Sequence, residues 1–500
     1  MAAALRSRLV LGAMLAALSG CAVGPDFTRP SPPAATDYGS APTSGATAGS
    51  ETADGNAQRF VAGMDILADW WTVFRSPKLD ALVQQSLVAN PNVDVAKASL
   101  RQAHELYLAQ KAAYWPTVQG GFAASRAMNA NNTIANPTVS PTSIYSLYTA
   151  QLSLSYLPDV FGATTRSVEA AKAARESSRF QLEATYLTLS SNVVVAVVQE
   201  ASLRAQIAAT ERLLLLQRRL TEITRLQREL GTASELDLLA QQAAEAQTAQ
   251  TLPPLQKLLG QNRDALTALL GRLPSGEPEE RFTLEDLVLP SDLPVTLPSK
   301  LVEQRPDVRQ AEENLHAASA EVGVAIANML PQFPIDASLG SSALQLGKLF
   351  TPETGFWSFG ASLVQTLFDA GALSHRKLAA EAALDQAAGQ YRAAVILACQ
   401  NVADTLRALQ ADAEALKASA QANRAAHATF DLAARQYEIG TISQIALLNA
   451  EQTYRQAELA LIQARTNRYS DTAALFQAVG GGWWNRPVEM PDERPRPAQQ

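Results

Sequence analysis

Few side chains in this chain could do covalent or metal chemistry, and they are badly placed for it. The four histidines, His104, His316, His375 and His427, are scattered on helical stretches. None stands at zinc-ligand spacing or beside a nucleophile–base pair. Gly347-Lys348 lacks the second glycine and the hydroxyl residue of a phosphate-binding loop. Acidic residues are spread evenly, as on solvated helix faces. These patterns predict a protein that is not an enzyme, with no metal and no soluble cofactor. Of the two cysteines, Cys399 sits in the apolar run Val395 to Cys399 and reads as a buried, inert thiol.

Cys21 is the exception. Arg6 and Arg8 precede the apolar run Leu9 to Leu18, which is too short to span a bilayer. The run ends Leu18-Ser19-Gly20-Cys21, which resembles the lipobox of bacterial lipoproteins. The expected chemistry is cleavage before Cys21, a diacylglycerol on its thiol and an acyl chain on its new amine. Several chains would hold the protein firmly to a membrane. Ala22 follows rather than Asp, which points to outer-membrane lipid as the destination.

The bulk numbers narrow the class. A formal net charge of −7 argues against nucleic acid, which requires a basic face. Mean hydropathy is −0.05, and no apolar run of about eighteen residues follows the N-terminus. A membrane β-barrel escapes that test, because its strands alternate apolar and polar residues.

The elements that would position any site are long helices and short strands. Thr164 to Leu230 contains neither Pro nor Gly, and Ala372 to Ile439 contains only Gly389. Either stretch would run about 100 Å as a helix. The chain also repeats itself. Leu230-Gly231-Thr232-Ala233-Ser234 returns as Ile439-Gly440-Thr441-Ile442-Ser443, with the two glycines 209 residues apart (440 − 231). Phe161 and Phe368 lie 207 apart (368 − 161). Each repeat reads helix, strand, strand, long helix, turn, returning helix. Tyr148, Ala150, Leu152, Leu154 and Tyr156 alternate with small polar residues, as do Trp357, Phe359, Ala361 and Leu363. Four strands cannot close alone, since the smallest membrane barrels need about eight and lipid tolerates no open edge. Several chains must therefore share one barrel.

The predicted organisation is a signal peptide over 1–20 and a Pro/Ser/Gly-rich extended linker over 21–60. A first repeat follows over 61–271, with strands at about 116–128 and 145–157. A Pro-rich, acidic insertion spans 272–300. The second repeat covers 301–479, with strands at about 331–342 and 355–367, and a tail covers 480–500.

Several motifs carry a resemblance. Cys21-Ala22-Val23-Gly24-Pro25-Asp26-Phe27, Trp70-Trp71-Thr72-Val73-Phe74, Leu301 to Arg309 with Ala311-Glu312, Leu367 to Gly371 and Gly480-Gly481-Gly482-Trp483 are similar, in order and spacing, to the landmarks of NodT-type outer-membrane efflux lipoproteins of the TolC-like channel family. The resemblance implies a mainly α fold with a membrane β-barrel: a homotrimer with a helical tunnel and a shared twelve-stranded barrel. The insertion and the tail would form an equatorial belt. It implies a passive exit channel for drugs or other small molecules, served by a periplasmic adaptor and an inner-membrane resistance-nodulation-division pump. The adaptor would meet the hairpin tips, Leu230, Gly231, Thr232, Ala233 and Ser234 together with Ile439, Gly440, Thr441, Ile442 and Ser443. Tyr437 matches the family's gate tyrosine and Asp237 its aspartate partner. Ile442 falls where TolC has an arginine, and Ala446 and Asn449 where it has its aperture aspartates, so the acidic ring is missing here. Metal or protein export by the same architecture remains open, as does a purely structural periplasmic coiled-coil lipoprotein.

Overall fold

The computed structural model describes residues 22–128, apart from 40, 42, 53 and 54, and residues 144–487. The signal segment, Cys21, the polar loop expected from Asn129 to Thr142 and the last part of the tail lie outside them. Two two- and four-residue strands, β1 (Gly45–Ala46) and β2 (Arg59–Ala62), precede helices α1 (Pro77–Ala89) and α2 (Pro91–Lys111). Strands β3 (Thr117–Met128) and β4 (Ile144–Tyr156) lead into α3 (Ala163–Glu229), α4 (Glu235–Ala249) and α5 (Leu252–Leu269). Strand β5 (Asp292–Val295), helices α6 (Pro298–Gln304) and α7 (Pro306–Ala327), and strands β6 (Ile335–Ala343) and β7 (Gly355–Ala361) follow. Helices α8 (Ala372–Glu438) and α9 (Gln444–Ala478) complete the order.

The chain divides into two compact units. The first gathers residues up to 29, 101–176 and 312–390. Its centre is an antiparallel sheet of order β3-β4-β6-β7. Register sorts the side chains cleanly. Val118, Gly120, Phe122 and Ala124 fall opposite Leu154, Leu152, Ala150 and Tyr148, which in turn face Ala337, Leu339, Ser341 and Ala343. Phe359 and Trp357 continue the rows from Ala337 and Leu339. One face is therefore almost wholly apolar and the other carries Gln, Ser and Thr. The β3 pattern is faint in the sequence because Gly and Ala stand on both faces.

The second strand pair is shorter than the expected 331–342 and 355–367. The ladder runs only from Ile335 and ends at Ala361, beyond which Gln332 and Val364 form a single bridge. Pro331 and Pro334 have no N–H to give the ladder.

The second unit gathers residues 30–100, 177–311 and those from 391 onward. Its core includes Trp70, Trp71, Phe74, Leu266, Leu270, Phe282, Tyr469 and Phe476, all essentially inaccessible. Trp70 stacks on Phe476 at 5.6 Å. One stretch of α3 is apolar enough to cross a membrane by length and composition, but 61% of it is buried. Val193, Val194, Val197 and Val198 are among these buried residues, so packing against neighbouring helices accounts for the stretch.

The expected extended linker over 21–60 is more ordered than its composition suggests. Strand β2 pairs with β1 and, in parallel, with β5 of the insertion. Arg468, wholly buried on α9, donates to Gln58 Oε1 at 3.1 Å, to the Asn56 carbonyl at 2.6 Å and to Thr47 Oγ1 at 3.4 Å. The Tyr38 hydroxyl donates to the Thr296 carbonyl at 2.7 Å. Pro, Gly and Ser prevent regular elements here without preventing contacts.

Candidate functional site

The two hairpin tips are built alike. Where α3 ends, Gly231 takes φ 74°, its N–H meets the Arg228 carbonyl and the Thr232 N–H meets the Gln227 carbonyl. Where α8 ends, Gly440 takes φ 74° and the same pair of bonds runs from Gly440 to Tyr437 and from Thr441 to Gln436. Both are Schellman endings, which need a residue at ease with positive φ. Ser234 and Ser443 then cap α4 and α9. Leu230, Leu236, Ile439 and Ile445 are left well exposed around the tips, as are Gly231, Thr232, Ser234, Gly440, Thr441 and Ser443, while Ala233 and Ile442 are half-buried.

The residues expected at a gate stand just inside these tips. Tyr437 is buried among Leu220, Phe430, Leu447 and Ala450, with the half-buried Ile442 packed on the same cluster. Its hydroxyl lies 2.9 Å from Thr224 Oγ1. Asp237 forms a reciprocal capping box, its Oδ2 accepting from the Ser234 N–H at 2.9 Å and from the Ser234 hydroxyl at 2.7 Å. The Ser234 amide, then its hydroxyl, hold this carboxyl below its ordinary range. Within one chain the side chains of Tyr437 and Asp237 are thus each used locally and are not brought together. Ala446 and Asn449 are exposed and line a groove of about 460 Å³ between α8 and α9, with Ala422, Ala425, Thr429 and Thr453.

Sequence reasoning missed four buried polar residues, Gln217, Gln241, Gln444 and Glu451. Glu451 is buried on α9 and accepts from the Gln217 side chain. Burial pushes its carboxyl up to about 7, against the Gln217 bond and the Arg455 charge. Gln444 Nε2 donates to the Asp237 carbonyl at 2.7 Å, and Gln241 is wholly buried beside it. Gln217 Oε1, Gln241 Nε2, Gln444 Oε1 and Glu451 Oε2 have no hydrogen-bond partner among the described residues. Such under-satisfied layers are weak points in a helical body. The signal was present: Leu447, Glu451 and Tyr454 follow i, i+4, i+7, which places Glu451 in the apolar stripe.

The sheet of the first unit is a separate candidate surface. On its apolar face Phe122, Leu152, Leu339, Trp357 and Phe359 remain more than half exposed. A patch of such size on a soluble face would be costly. On the opposite face Thr149 meets Ser342 at 3.1 Å and Ser338 meets Ser358 at 2.7 Å, hydroxyl to hydroxyl. Strands β3 and β7 are the sheet's two edges within the chain. The sheet thus has one apolar face, one polar face and two edges at β3 and β7.

Known proteins place this geometry. The sequence pattern of the outer membrane efflux protein family matches residues 82–272 and 297–481. The chain is 29% identical to the toluene efflux pump outer membrane protein TtgC of Pseudomonas putida, over 96% of each chain. It is 30% identical to the probable efflux pump outer membrane protein SepC of Pseudomonas putida, over 95% of this chain and 96% of that one. Its fold superposes on the outer-membrane channel OprN with a TM-score of 0.83 and 28% identity, covering 93% of this chain and all of that one. A family pattern over most of the chain, full-length relatives and a sheet built to face lipid agree, and the protein belongs to the outer membrane efflux protein family, as an outer-membrane channel protein of TolC-like fold.

Proposed function

We propose that three copies of this chain close one twelve-stranded barrel and form the exit channel of a tripartite efflux pump, passing small apolar or amphipathic molecules to the outside. The observation that carries this is the face-sorted sheet with two unpaired edges: four strands are too few for a membrane barrel, and three times four are enough. The name of TtgC, a toluene efflux pump component, supports the substrate class. The chain supplies a passive conduit, with energy from an inner-membrane pump of the resistance-nodulation-division type. A periplasmic adaptor would seat on the exposed apolar tips around Leu230 and Ile439. Tyr437, Asp237, Ile442, Ala446 and Asn449 would form the gate, and acyl chains on Cys21 would anchor each copy to outer-membrane lipid.

The test is transport in cells. Deleting the gene should raise accumulation of a hydrophobic fluorescent dye, and the parent chain should reverse it. A chain with Leu152→Arg on the apolar face should fail to do so. Unchanged accumulation of dyes and solvents on deletion would remove the proposed substrate class.

A further inference from the structure

One buried contact between α3 and α9 holds more acceptors than donors. Gln217 on α3 and Glu451 on α9 are each 3% exposed. The Gln217 side-chain amide donates to Glu451 Oε1. The second oxygens of the same two groups, Gln217 Oε1 and Glu451 Oε2, have no hydrogen-bond partner among the described residues. An ionised carboxylate only accepts, so it leaves both oxygens bare. A neutral carboxyl offers one donor and one acceptor, which match the acceptor and donor of a carboxamide. A proton on Glu451 Oε2 therefore partners both oxygens at once: the carboxyl O–H donates to Gln217 Oε1 while the amide N–H donates to Glu451 Oε1.

The surroundings favour that proton. Leu220, Phe430, Leu447 and Ala450 form an apolar core on the neighbouring turns. Arg455, one turn further along α9, opposes protonation by its charge, but its Nη1 donates to Thr248 Oγ1 of α4 at 3.3 Å. Other charges on the packed helices are paired with each other. Arg218 of α3 meets Glu245 of α4 at 3.4 Å, Arg212 of α3 meets Glu458 of α9 at 2.9 Å, and His427 meets Asp431 on α8 at 3.1 Å. Arg219 and Arg435 are exposed. The Tyr437 hydroxyl is held by Thr224, and the Tyr454 ring stacks on Phe430 at 5.6 Å. Burial is the largest influence on Glu451 and raises its carboxyl to about 7.

We infer that Glu451 is built into the fold as a neutral acid and latches α9 to α3 through a cyclic carboxyl–carboxamide pair with Gln217, a latch that opens when the proton passes to water. The latch lies within one chain and needs neither the trimer nor the gate assignment. Ionisation removes one of its two hydrogen bonds, strips two buried oxygens of a donor and places a charge in an apolar core, which is costly without a partner. The returning helix α9 is therefore held to α3 more tightly in acid than in alkali.

Amide hydrogen exchange of the full, detergent-extracted chain tests the latch. Peptides covering Leu447–Arg455 and Leu213–Thr221 are followed at pH 6 and pH 8.5, with rates corrected for the intrinsic pH dependence of exchange. Protection should fall about tenfold in the parent between the two. Glu451→Gln keeps the shape and offers an amide–amide pair that no proton controls, so its protection should change less than about twofold. Exchanging the two groups, Gln217→Glu with Glu451→Gln, should restore the parent's pH dependence. The infrared difference between the parent and Glu451→Gln should show the carbonyl stretch of a neutral carboxyl at pH 6 and lose it at pH 8.5. Asp412, the other carboxyl raised to about 7, is common to both proteins and cancels. A parent whose protection falls no further than that of Glu451→Gln, or a pH 6 difference without that band, would overturn the latch. An exchanged pair without pH dependence would overturn the pairing with Gln217.

Discussion

The hydroxyls of Tyr437 and Thr224 lie 2.9 Å apart, tying the last turn of α8 to α3. Thr224 also donates to the Leu220 carbonyl at 2.9 Å, so it keeps a partner if the tyrosine hydroxyl is lost. Tyr437→Phe should therefore cost only about 1 kcal/mol, whereas Tyr437→Ala leaves a cavity worth about 3–5 kcal/mol. Thermal midpoints of the purified protein check the order. Equal losses for the two variants would show that the hydroxyl, not the ring, carries the contact.

Asp237 holds the N-terminus of α4 through its capping box with Ser234. Asp237→Ala should loosen that end by roughly 1 kcal/mol. Combined with Tyr437→Phe it should raise single-channel conductance in planar bilayers, if the two residues guard the aperture as proposed. Conductance equal to that of the parent would sink the gate assignment and leave the channel standing.

Glu451 sets a pH dependence. Its folded carboxyl, pushed up to about 7 by burial, holds a proton that the unfolded chain releases near 4.5. Between those values the folded state binds more protons, so stability falls as pH rises and levels off above about 7. Glu451→Gln should flatten part of this slope and stabilise the protein at pH 8 by up to ~3 kcal/mol. Asp412, raised to about 7 by burial and by neighbouring Asp471, keeps the remainder. Melting curves from pH 5 to pH 8 decide it; a parent protein that gains stability across that range would contradict the assignment.

The two faces of the sheet should respond oppositely to charge. Leu152→Arg on the apolar face should cost about 2–4 kcal/mol of barrel stability, as for charges at the bilayer midplane. Ser153→Arg, one residue on and facing the other way, should assemble normally and alter conductance instead. Heat-modifiable gel mobility and bilayer recordings separate the outcomes. Equal assembly defects in both would mean that the faces are not sorted by lipid and water.

A buried charge cluster offers a fifth check. Arg263, 5% exposed on α5, donates to Glu200 at 2.7 Å and to the backbone carbonyl of Glu280 at 3.1 Å, and it also pairs with Glu277. Arg263→Ala strips Glu200 of one of its two arginines, the other being Arg204 at 2.8 Å. A loss of about 3 kcal/mol is expected. A loss below 1 kcal/mol would mean that Arg204 alone satisfies the carboxylate.

What was legible in the sequence follows from how local its cause is. The long helices show as stretches without Pro or Gly, and the tips show because a Schellman ending needs Gly231 and Gly440 at positive φ. Strand β4 shows because Tyr148 to Tyr156 alternate strictly, while β3 does not, because Gly120, Gly121, Ala123 and Ala124 are small on both faces. The hydrogen bonds of Arg166 to Val23 and Asp26 were hidden because those partners are some 140 residues away in sequence. The gate residues came from family resemblance alone, and within one chain Tyr437 and Asp237 meet Thr224 and Ser234 instead of each other.

If several copies complete one barrel, electron microscopy of the detergent-extracted protein will show it. Three-fold symmetric particles are expected, with a β-barrel at one end and helices of roughly 100 Å running from it. Monomers, or helical rods without a barrel, would contradict it.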